Sequence, residues 1–265
     1  MRTAVINLYS LHENQRKIAD DPSRFKVVRC GRRFGKTVYI INQVCEKMIE
    51  GYKVAYIGLT NQSTTWVWNE VKDILADITI YKDERNRNLI INSGGSVGFW
   101  SFENYDKMRG YKYDYIYCDE GAHTKKLKDF FEYVARPTLI DTAGKFEVLS
   151  TPRGYNYFKE LTQSPEFKEF HFTTYDNPLL QKSEIEFLVN TMPRTVVEQE
   201  IYANFIDLAG VIVTRDQIRY GTTEGQGQYY IGIDLAMSKN TQADYSAFVV
   251  TNVIDNNYLS LIHIS

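Results

Sequence analysis

A glycine-rich loop between a short apolar strand and an amphipathic helix constrains this chain more than any other feature. A strand is predicted at Phe25 to Cys30, the loop CGRRFGKT follows at residues 30–37, and apolar residues then recur at helical spacing as far as Gly51. The loop matches G-x-x-x-x-G-K-[ST], except that Cys30 replaces the first glycine and Gly31 follows it. Strand, loop and helix in this order place a helix N-terminus opposite an anion.

The end of this loop carries the residue types that a nucleotide phosphate site requires. Gly35 keeps the backbone flexible, Lys36 can reach the β- and γ-phosphate oxygens, and the Thr37 hydroxyl can bind Mg²⁺. An ordinary turn with a chance Gly-Lys-Thr is the alternative. The flanking strand and helix favour the phosphate site, so we expect ATP and Mg²⁺ as cofactors.

A second acidic element, YIYCDE, places four strand-forming residues before Asp119 and Glu120. In open α/β sheets ligands bind at the carboxyl ends of the strands, which would bring this pair beside the phosphate loop. Asp119 is predicted to hold Mg²⁺, and Glu120 to orient or deprotonate the attacking water. A solvated acidic turn is the alternative for such a pair alone.

Strand-length apolar runs alternate with helix-period segments through about residue 150, which predicts an α/β domain with a largely parallel sheet. Gly94-Gly95 predicts a hairpin between two of the strands. The more polar segment 155–207 predicts a small helical appendage, so residues 1–210 form one predicted domain. A linker at 211–228 and a new β unit at 229–265 follow.

Composition limits the possible partners and the compartment. With 31 basic and 33 acidic side chains the net charge is -2, so any DNA contact must come from local basic patches. Cys30, Cys45 and Cys118 are widely spaced and sit in apolar segments, as buried thiols of a reducing compartment do. The first residues lack a signal-peptide pattern and no apolar run approaches roughly 18 residues, so we expect a cytoplasmic protein without a membrane partner.

Four segments occur in an order that resembles the large terminase family of tailed bacteriophages. They are GRRFGKT, AYIGLTNQSTTWVWNEV, MRGYKYDYIYCDEGAH and LSTPRG. The resemblance implies a P-loop NTPase of the ASCE type that hydrolyses ATP to move double-stranded viral DNA into a procapsid. It also implies a homo-oligomeric ring with a portal protein and a small terminase subunit as partners, acting in the cytoplasm of the infected bacterial host and absent from the mature virion.

The resemblance also implies roles for residues outside the phosphate loop. Gln15 matches a glutamine that contacts the adenine edge, with a solvated helix residue as the alternative. Arg109 aligns with an arginine presented to the ATP of a neighbouring subunit, with a surface salt bridge as the alternative. Ser150 and Thr151 match a coupling motif that senses the γ-phosphate, with a plain strand-end turn as the alternative.

Several points stay open from the sequence. Either Arg32 or Arg33 could contact phosphate while the other faces solvent or DNA, and Arg109 could act within its own subunit or across subunits. The ring stoichiometry and the packaging strategy are equally open.

The unit that begins with YYIGIDLA resembles the opening strand of an RNase H-like nuclease. In that family a mid-strand aspartate, here Asp234, bridges two divalent ions, Mg²⁺ or Mn²⁺, and Asp244 would either assist or cap a turn. Only the start of such a fold is expected here, because its other acids would lie on later segments, so we expect no DNA cleavage by this chain. Residues 259–265, LSLIHIS, resemble one reading frame of a common transposase-type sequencing adapter, and we expect native sequence to stop near Tyr258.

Two other functions compete with the packaging motor. A helicase-like or other nucleic-acid-dependent ATPase would share the phosphate loop, and a non-hydrolysing ATP-binding assembly module would share the fold. Glu120 argues against the assembly module, because an ATP switch without turnover does not need a base. The nuclease-like unit containing Asp234 argues against the helicase-like ATPase.

Overall fold

A computed structural model describes residues 5–206, 228–234, 247–254 and 257–262 of the chain. The chain divides into two compact units, Met1–Ala209 and Gly210–Ser265, which are described separately below. Among the described residues no helix combines the length and the apolar character needed to cross a membrane.

The first unit is built on an eight-stranded sheet. Its strands are β1 (Phe25–Cys30), β2 (Lys53–Gly58), β3 (Thr79–Asp83), β4 (Asn88–Ile91), β5 (Ser96–Ser101), β6 (Tyr115–Asp119), β7 (Lys145–Ser150) and β8 (Lys168–Phe172). Their order is β3-β4-β5-β2-β6-β7-β1-β8. Neighbours from β5 to β8 pair in parallel, whereas β3 and β4 pair antiparallel at one edge. The predicted largely parallel α/β fold is confirmed, as is the hairpin at Gly94, where φ is +87°.

Helices lie on both faces of this sheet and in the segment that follows its last strand. They are α1 (Glu13–Ala19), α2 (Lys36–Ile49), α3 (Asn61–Ile74), α4 (Leu127–Phe130), α5 (Arg136–Thr138), α6 (Tyr157–Gln163), α7 (Lys182–Thr191) and α8 (Arg194–Val196). Alternate strand residues point to opposite faces, so Val28 packs in the cluster with α2 and α3 while Val27 packs in the cluster with α4 and α6. Both faces are therefore apolar, as expected of buried parallel strands.

The appendage expected over 155–207 contains helices and also a strand that the sequence analysis did not predict. α6, α7 and α8 fall within it, but β8 joins the main sheet alongside β1. Lys-Glu-Phe-His-Phe alternates polar and aromatic residues, and Phe172 stacks on Phe34 of the phosphate loop at a centroid distance of 4.9 Å. This segment therefore supports the loop directly.

The strand order brings together the three segments that carry the predicted site residues. β7 lies between β6 and β1, with Asp119 beside Leu149 and Arg29 beside Ser150. Because all three strands run in parallel, their carboxyl ends open onto one edge of the sheet. The acidic pair, the Ser-Thr pair and the phosphate loop thus meet at this edge.

The second unit contributes a three-stranded antiparallel sheet in the order β11-β10-β9. Its strands are β9 (Gln228–Asp234), β10 (Ala247–Ile254) and β11 (Asn257–Ile262). Asp234 is the last residue of β9 and pairs with Ala247. Asp244 and the linker up to residue 227 lie outside the described residues.

A buried ion pair joins β1 to β7 beneath the functional edge. Lys26 Nζ lies 3.0 Å from Glu147 Oε1, and both side chains are at most 4% exposed. Lys26 also donates to the Ile18 carbonyl at 2.7 Å, and Tyr39 OH donates to Glu147 Oε2 at 2.8 Å. These extra hydrogen bonds compensate for the removal of both charges from water.

Replacing Lys26 by methionine should destabilise the first unit strongly, because Glu147 would stay buried without its cation. We expect a loss of about 3–5 kcal/mol in the free energy of unfolding, measured by urea titration. Lys112→Met removes the partner of Asp141 from an exposed surface pair and should cost less than about 1 kcal/mol. Equal losses in the two variants would contradict this account of the pair.

Candidate nucleotide site

The phosphate loop adopts backbone angles that require its glycine. Gly35 is the N-cap of α2 with φ of +102°, in the left-handed region that residues with a Cβ rarely adopt. A Cβ at this position would also lie 2.7 Å from Gln15 Nε2. Arg33 has φ of +66°, so two residues of the loop adopt left-handed backbone angles before the helix begins. The first N–H groups of α2 have no partner within their own helix, as at every helix N-terminus.

The loop is anchored from one side by the end of β8 and the residues that follow it. Gly31 N donates to the Phe172 carbonyl at 3.0 Å. Thr174 Oγ1 and Asn177 Nδ2 donate to the carbonyls of Arg32 and Arg33, each at 2.8 Å. The sequence analysis missed Thr174 and Asn177, since a lone hydroxyl and a lone amide in a polar segment carry no motif.

Gly31 supplies the glycine of the loop one position after the usual one. A Cβ there would lie 2.5 Å from Thr174 N and 2.6 Å from the Ile201 carbonyl, so only glycine fits. Cys30, which stands at the usual glycine position, is instead fully buried at the end of β1. Burial raises the pKa of its thiol to about 12, which keeps it neutral. The other two cysteines are also buried free thiols, as predicted.

The side chains of Arg32 and Arg33 are both exposed. Arg32 Nη1 lies 3.8 Å from Glu200 Oε2, and its backbone N–H donates to the Glu200 carbonyl at 2.7 Å. These contacts orient Arg32 toward the segment after α8.

Two side chains around the start of α1 brace the other side of the loop. Gln15 is 3% exposed, donates from Nε2 to the Gly35 carbonyl at 3.0 Å and accepts from His12 N at the same distance. The His12 ring nitrogen Nε2 lies 3.1 Å from the Phe34 carbonyl. Gln15 is therefore buried against the loop and is not a solvated helix residue. Contact with an adenine base stays a prediction.

Lys36 is placed where the ends of β6 and β7 meet. Its Nζ donates to Thr151 Oγ1 at 2.9 Å and lies 3.4 Å from Glu120 Oε1. Burial opposes its charged form, but the pKa of Lys36 is nevertheless raised, and the nearby carboxylates of Glu120 and Asp119 favour the ammonium form. A buried, charged ammonium group beside the phosphate loop is suited to binding phosphate oxygens.

Asp119 and Thr37 form the part of the site that suits a metal ion. Thr37 Oγ1 donates to Asp119 Oδ2 at 3.0 Å, while the buried Oδ1 has no hydrogen-bond partner among the described residues. Burial, followed by the charge of Glu120, raises the pKa of Asp119 from 3.8 to about 6. An unpartnered carboxylate oxygen beside a hydroxyl matches the hard oxygen ligands that Mg²⁺ prefers.

Glu120 has an unusual backbone and three side-chain neighbours. Its φ is +56°, which for a residue with a Cβ marks local strain of the kind found at functional sites. Glu120 Oε2 lies 3.2 Å from Ser150 Oγ and 3.5 Å from His123 Nε2, while Oε1 faces Lys36. The predicted base, coupling residues and phosphate lysine are thus in mutual contact.

Arg109 lies away from these contacts. It belongs to a 3₁₀ helix at Tyr105–Gly110, its side chain is 58% exposed, and its guanidinium lies 3.2 Å from Asp106. It borders a surface cavity of about 470 Å³ together with Tyr111 and Asp141. Such an exposed arginine forms a surface salt bridge and is also accessible to a neighbouring subunit.

Comparison with known proteins identifies the family. The model of the family described as terminase large subunit, T4likevirus-type, N-terminal, matches residues 28–220. This chain belongs to that terminase family. It is 27% identical over 204 residues to the terminase large subunit of Escherichia phage T5, covering 73% of this chain and 47% of that protein. The chain therefore spans about half the length of this curated relative.

Solved terminase structures share the fold. The large terminase ATPase domain of Thermus phage P74-26 aligns with a TM-score of 0.64 at 21% identity, covering 75% of this chain and 95% of that one. The large terminase of a thermophilic bacteriophage, solved in complex with ADP, aligns with a TM-score of 0.59 at 18% identity, covering 95% of this chain and 67% of that one. These likenesses confirm the predicted fold of the first unit.

Removing the buried charge of Asp119 should stabilise the metal-free protein. Between about pH 4 and pH 6 the folded state holds a proton that the unfolded state has released, so wild-type stability falls as the pH rises through this window. With the pKa raised from 3.8 to about 6, the cost at pH 7 is about 3 kcal/mol. Asp119→Asn should regain most of this at pH 7 and less at pH 5.

Urea unfolding in the presence of EDTA measures this difference. Asp141→Asn, at an exposed ion pair with Lys112, serves as the control and should show a much smaller change. An Asp119→Asn variant that is less stable than wild type at pH 7, or equally stabilised at both pH values, would contradict the assigned burial cost.

Proposed function

We propose that the first unit is the ATP-hydrolysing motor of a DNA-packaging terminase. The observation that carries this proposal is the contact set around Lys36, which joins Thr151 and Glu120 at the edge where Thr37 meets Asp119. Family membership supports the packaging role, and the ADP complex of the thermophilic bacteriophage terminase supports a nucleotide ligand. A helicase-like ATPase would share these contacts, but family membership favours the terminase.

In this proposal each residue has a chemical task. The N–H groups that follow Gly35 and the ammonium group of Lys36 bind the phosphates. Thr37 and Asp119 would hold Mg²⁺, which supplies charge neutralisation at the phosphoryl oxygens. Glu120 orients and deprotonates the attacking water, and the water hydrogen passes to its carboxylate.

Ser150 and Thr151 would report the loss of the γ-phosphate. Thr151 Oγ1 accepts from Lys36, and Ser150 Oγ lies near Glu120 and accepts from Ala122 N at 3.1 Å. Ser150 ends β7 and Thr151 follows it, and β7 lies between β1, which leads to the phosphate loop, and β6, which leads to Glu120. Loss of the γ-phosphate would therefore act on the segments after β1 and β6 together.

Double-stranded DNA, the portal protein, the small terminase subunit and a ring of like subunits are the proposed partners. They follow from the family and from the name of the T5 relative, and the host cytoplasm is the corresponding proposed location. We further propose that the second unit begins a nuclease domain, with Asp234 at the end of β9 as a ligand of two divalent ions.

The proposed function is tested by steady-state ATP hydrolysis with and without double-stranded DNA. Lys36→Ala should abolish tight nucleotide binding, because its Nζ is the cation directed at the phosphates. Glu120→Ala should retain binding and lose at least about 100-fold in kcat. The wild type should be stimulated by DNA. Unchanged hydrolysis in Lys36→Ala would refute the site, and nucleotide binding without turnover would favour the assembly-module alternative.

Arg109 is proposed to serve the ATP site of a neighbouring subunit, since it is exposed and lies outside the contacts of its own site. Arg109→Ala and Glu120→Ala should each be inactive alone, and mixing them should restore part of the activity, because a mixed interface retains one intact site. Lys107→Ala, on the same 3₁₀ helix, is the matched control and should behave as wild type. Absence of recovery on mixing would indicate action within one subunit.

A further inference from the structure

The turn after β6 brings a histidine back onto the carboxylate of Glu120. The left-handed backbone of Glu120 leads into a 3₁₀ turn, Gly121–His123, in which His123 N donates to the Glu120 carbonyl at 3.0 Å. As a result His123 Nε2 lies 3.5 Å from Glu120 Oε2. The phosphate loop, the acidic pair and the Ser-Thr pair leave this histidine without an assigned role.

An arginine from the neighbouring loop contacts the other nitrogen of the same ring. Arg153 Nη1 lies 3.3 Å from His123 Nδ1. Asn156 holds the two loops together, because its Nδ2 lies 2.8 Å from the Ala122 carbonyl and 3.1 Å from the Arg153 carbonyl. A continuous chain of polar contacts thus runs from Arg153 through His123 to Glu120, across the ends of β7 and β6.

The chemistry of the partners fixes the direction of the hydrogen bond between Arg153 and His123. A guanidinium group can only donate, so Nδ1 of His123 must accept from Arg153. The neutral imidazole then carries its proton on Nε2, the nitrogen that faces the carboxylate. Arg153 in this way selects the tautomer whose N–H lies on the side of Glu120 Oε2.

The two oxygens of Glu120 are held by different groups. Lys36 faces Oε1 at 3.4 Å, whereas His123 and Ser150 face Oε2. Ser150 has a single hydrogen, which lies within reach of both the Thr151 carbonyl at 2.9 Å and Glu120 Oε2 at 3.2 Å, so a second donor near Oε2 is of use. Phosphates that bound Lys36 would leave Glu120 Oε1 without this cation.

We propose that His123, oriented by Arg153, is a positioning residue that holds Glu120 through Oε2 and leaves Oε1 directed at the attacking water. This inference rests on the proposed ATPase function and deepens it. In this proposal His123 acts only through Glu120, since its two ring nitrogens face Glu120 and Arg153. Nucleotide binding should be independent of it.

The test is steady-state ATP hydrolysis by the full chain with double-stranded DNA. His123→Ala should lower kcat about tenfold or more and leave KM for ATP within about twofold, because only the positioning of the base is lost. His123→Gln, whose amide can still donate to Oε2, should recover most of kcat. His171→Gln, at an exposed ring that contacts the Tyr202 carbonyl, is the matched control and should equal wild type.

Two kinetic outcomes would overturn the proposal. One is a kcat in His123→Ala within about twofold of wild type, and the other is a His123→Gln variant as slow as His123→Ala. Failure of the proposed function itself would look different, since the wild type would then hydrolyse no ATP.

The tautomer of His123 tests the contact without turnover. In ¹⁵N spectra of the imidazole at a pH where it is neutral, the wild type should show the proton on Nε2, and Arg153→Ala should show a mixture of tautomers. A proton on Nδ1 in the wild type would overturn the proposal whether or not the chain hydrolyses ATP.

Discussion

Parallel pairing of β6, β7 and β1 is the constraint on which the candidate site depends. Each strand ends in a functional segment, and parallel strands end on the same edge of the sheet. Lys36 begins α2 directly after the loop that follows β1, Asp119 ends β6, and Thr151 follows β7. A shift of β7 by one residue would point Ser150 and Thr151 to the opposite faces of the sheet and break their contacts with Glu120 and Lys36. The buried pair of Lys26 and Glu147 joins β1 and β7 beneath the site and helps to hold this register.

Much of this arrangement was predictable because it follows from local patterns. The strand before the loop, the glycine at the start of α2 and the acidic pair at the end of β6 each carry a short-range signal. The supporting contacts were not predictable in the same way. β8, Thr174 and Asn177 hold the loop from more than 130 residues away, as in the pairing of Asn177 with the Arg33 carbonyl. His123 and Arg153 meet only because β6 and β7 are neighbours.

The site concentrates unfavourable features that the rest of the fold avoids. Asp119 is buried with a raised pKa, Glu120 adopts a left-handed backbone, and Lys36 is charged at 7% exposure. The buried carboxylate of Asp119 and the backbone of Glu120 cost stability in the protein alone, and all three features would serve a site that binds phosphates and a divalent cation. Lys36 can exchange Thr151 and Glu120 for phosphate oxygens, and Asp119 Oδ1 can gain the partner it lacks among the described residues. We therefore regard the contacts of Lys36 as the resting arrangement of a nucleotide site.

The most direct test of this account is a crystal structure of the protein with Mg²⁺ and a non-hydrolysable ATP analogue. The account predicts that Lys36 Nζ leaves Glu120 and lies within hydrogen-bonding distance of the β- and γ-phosphate oxygens. It also predicts that the Mg²⁺ ion lies beside Thr37 and Asp119. A nucleotide bound elsewhere, with Lys36 still in contact with Thr151 and Glu120, would contradict the central claim.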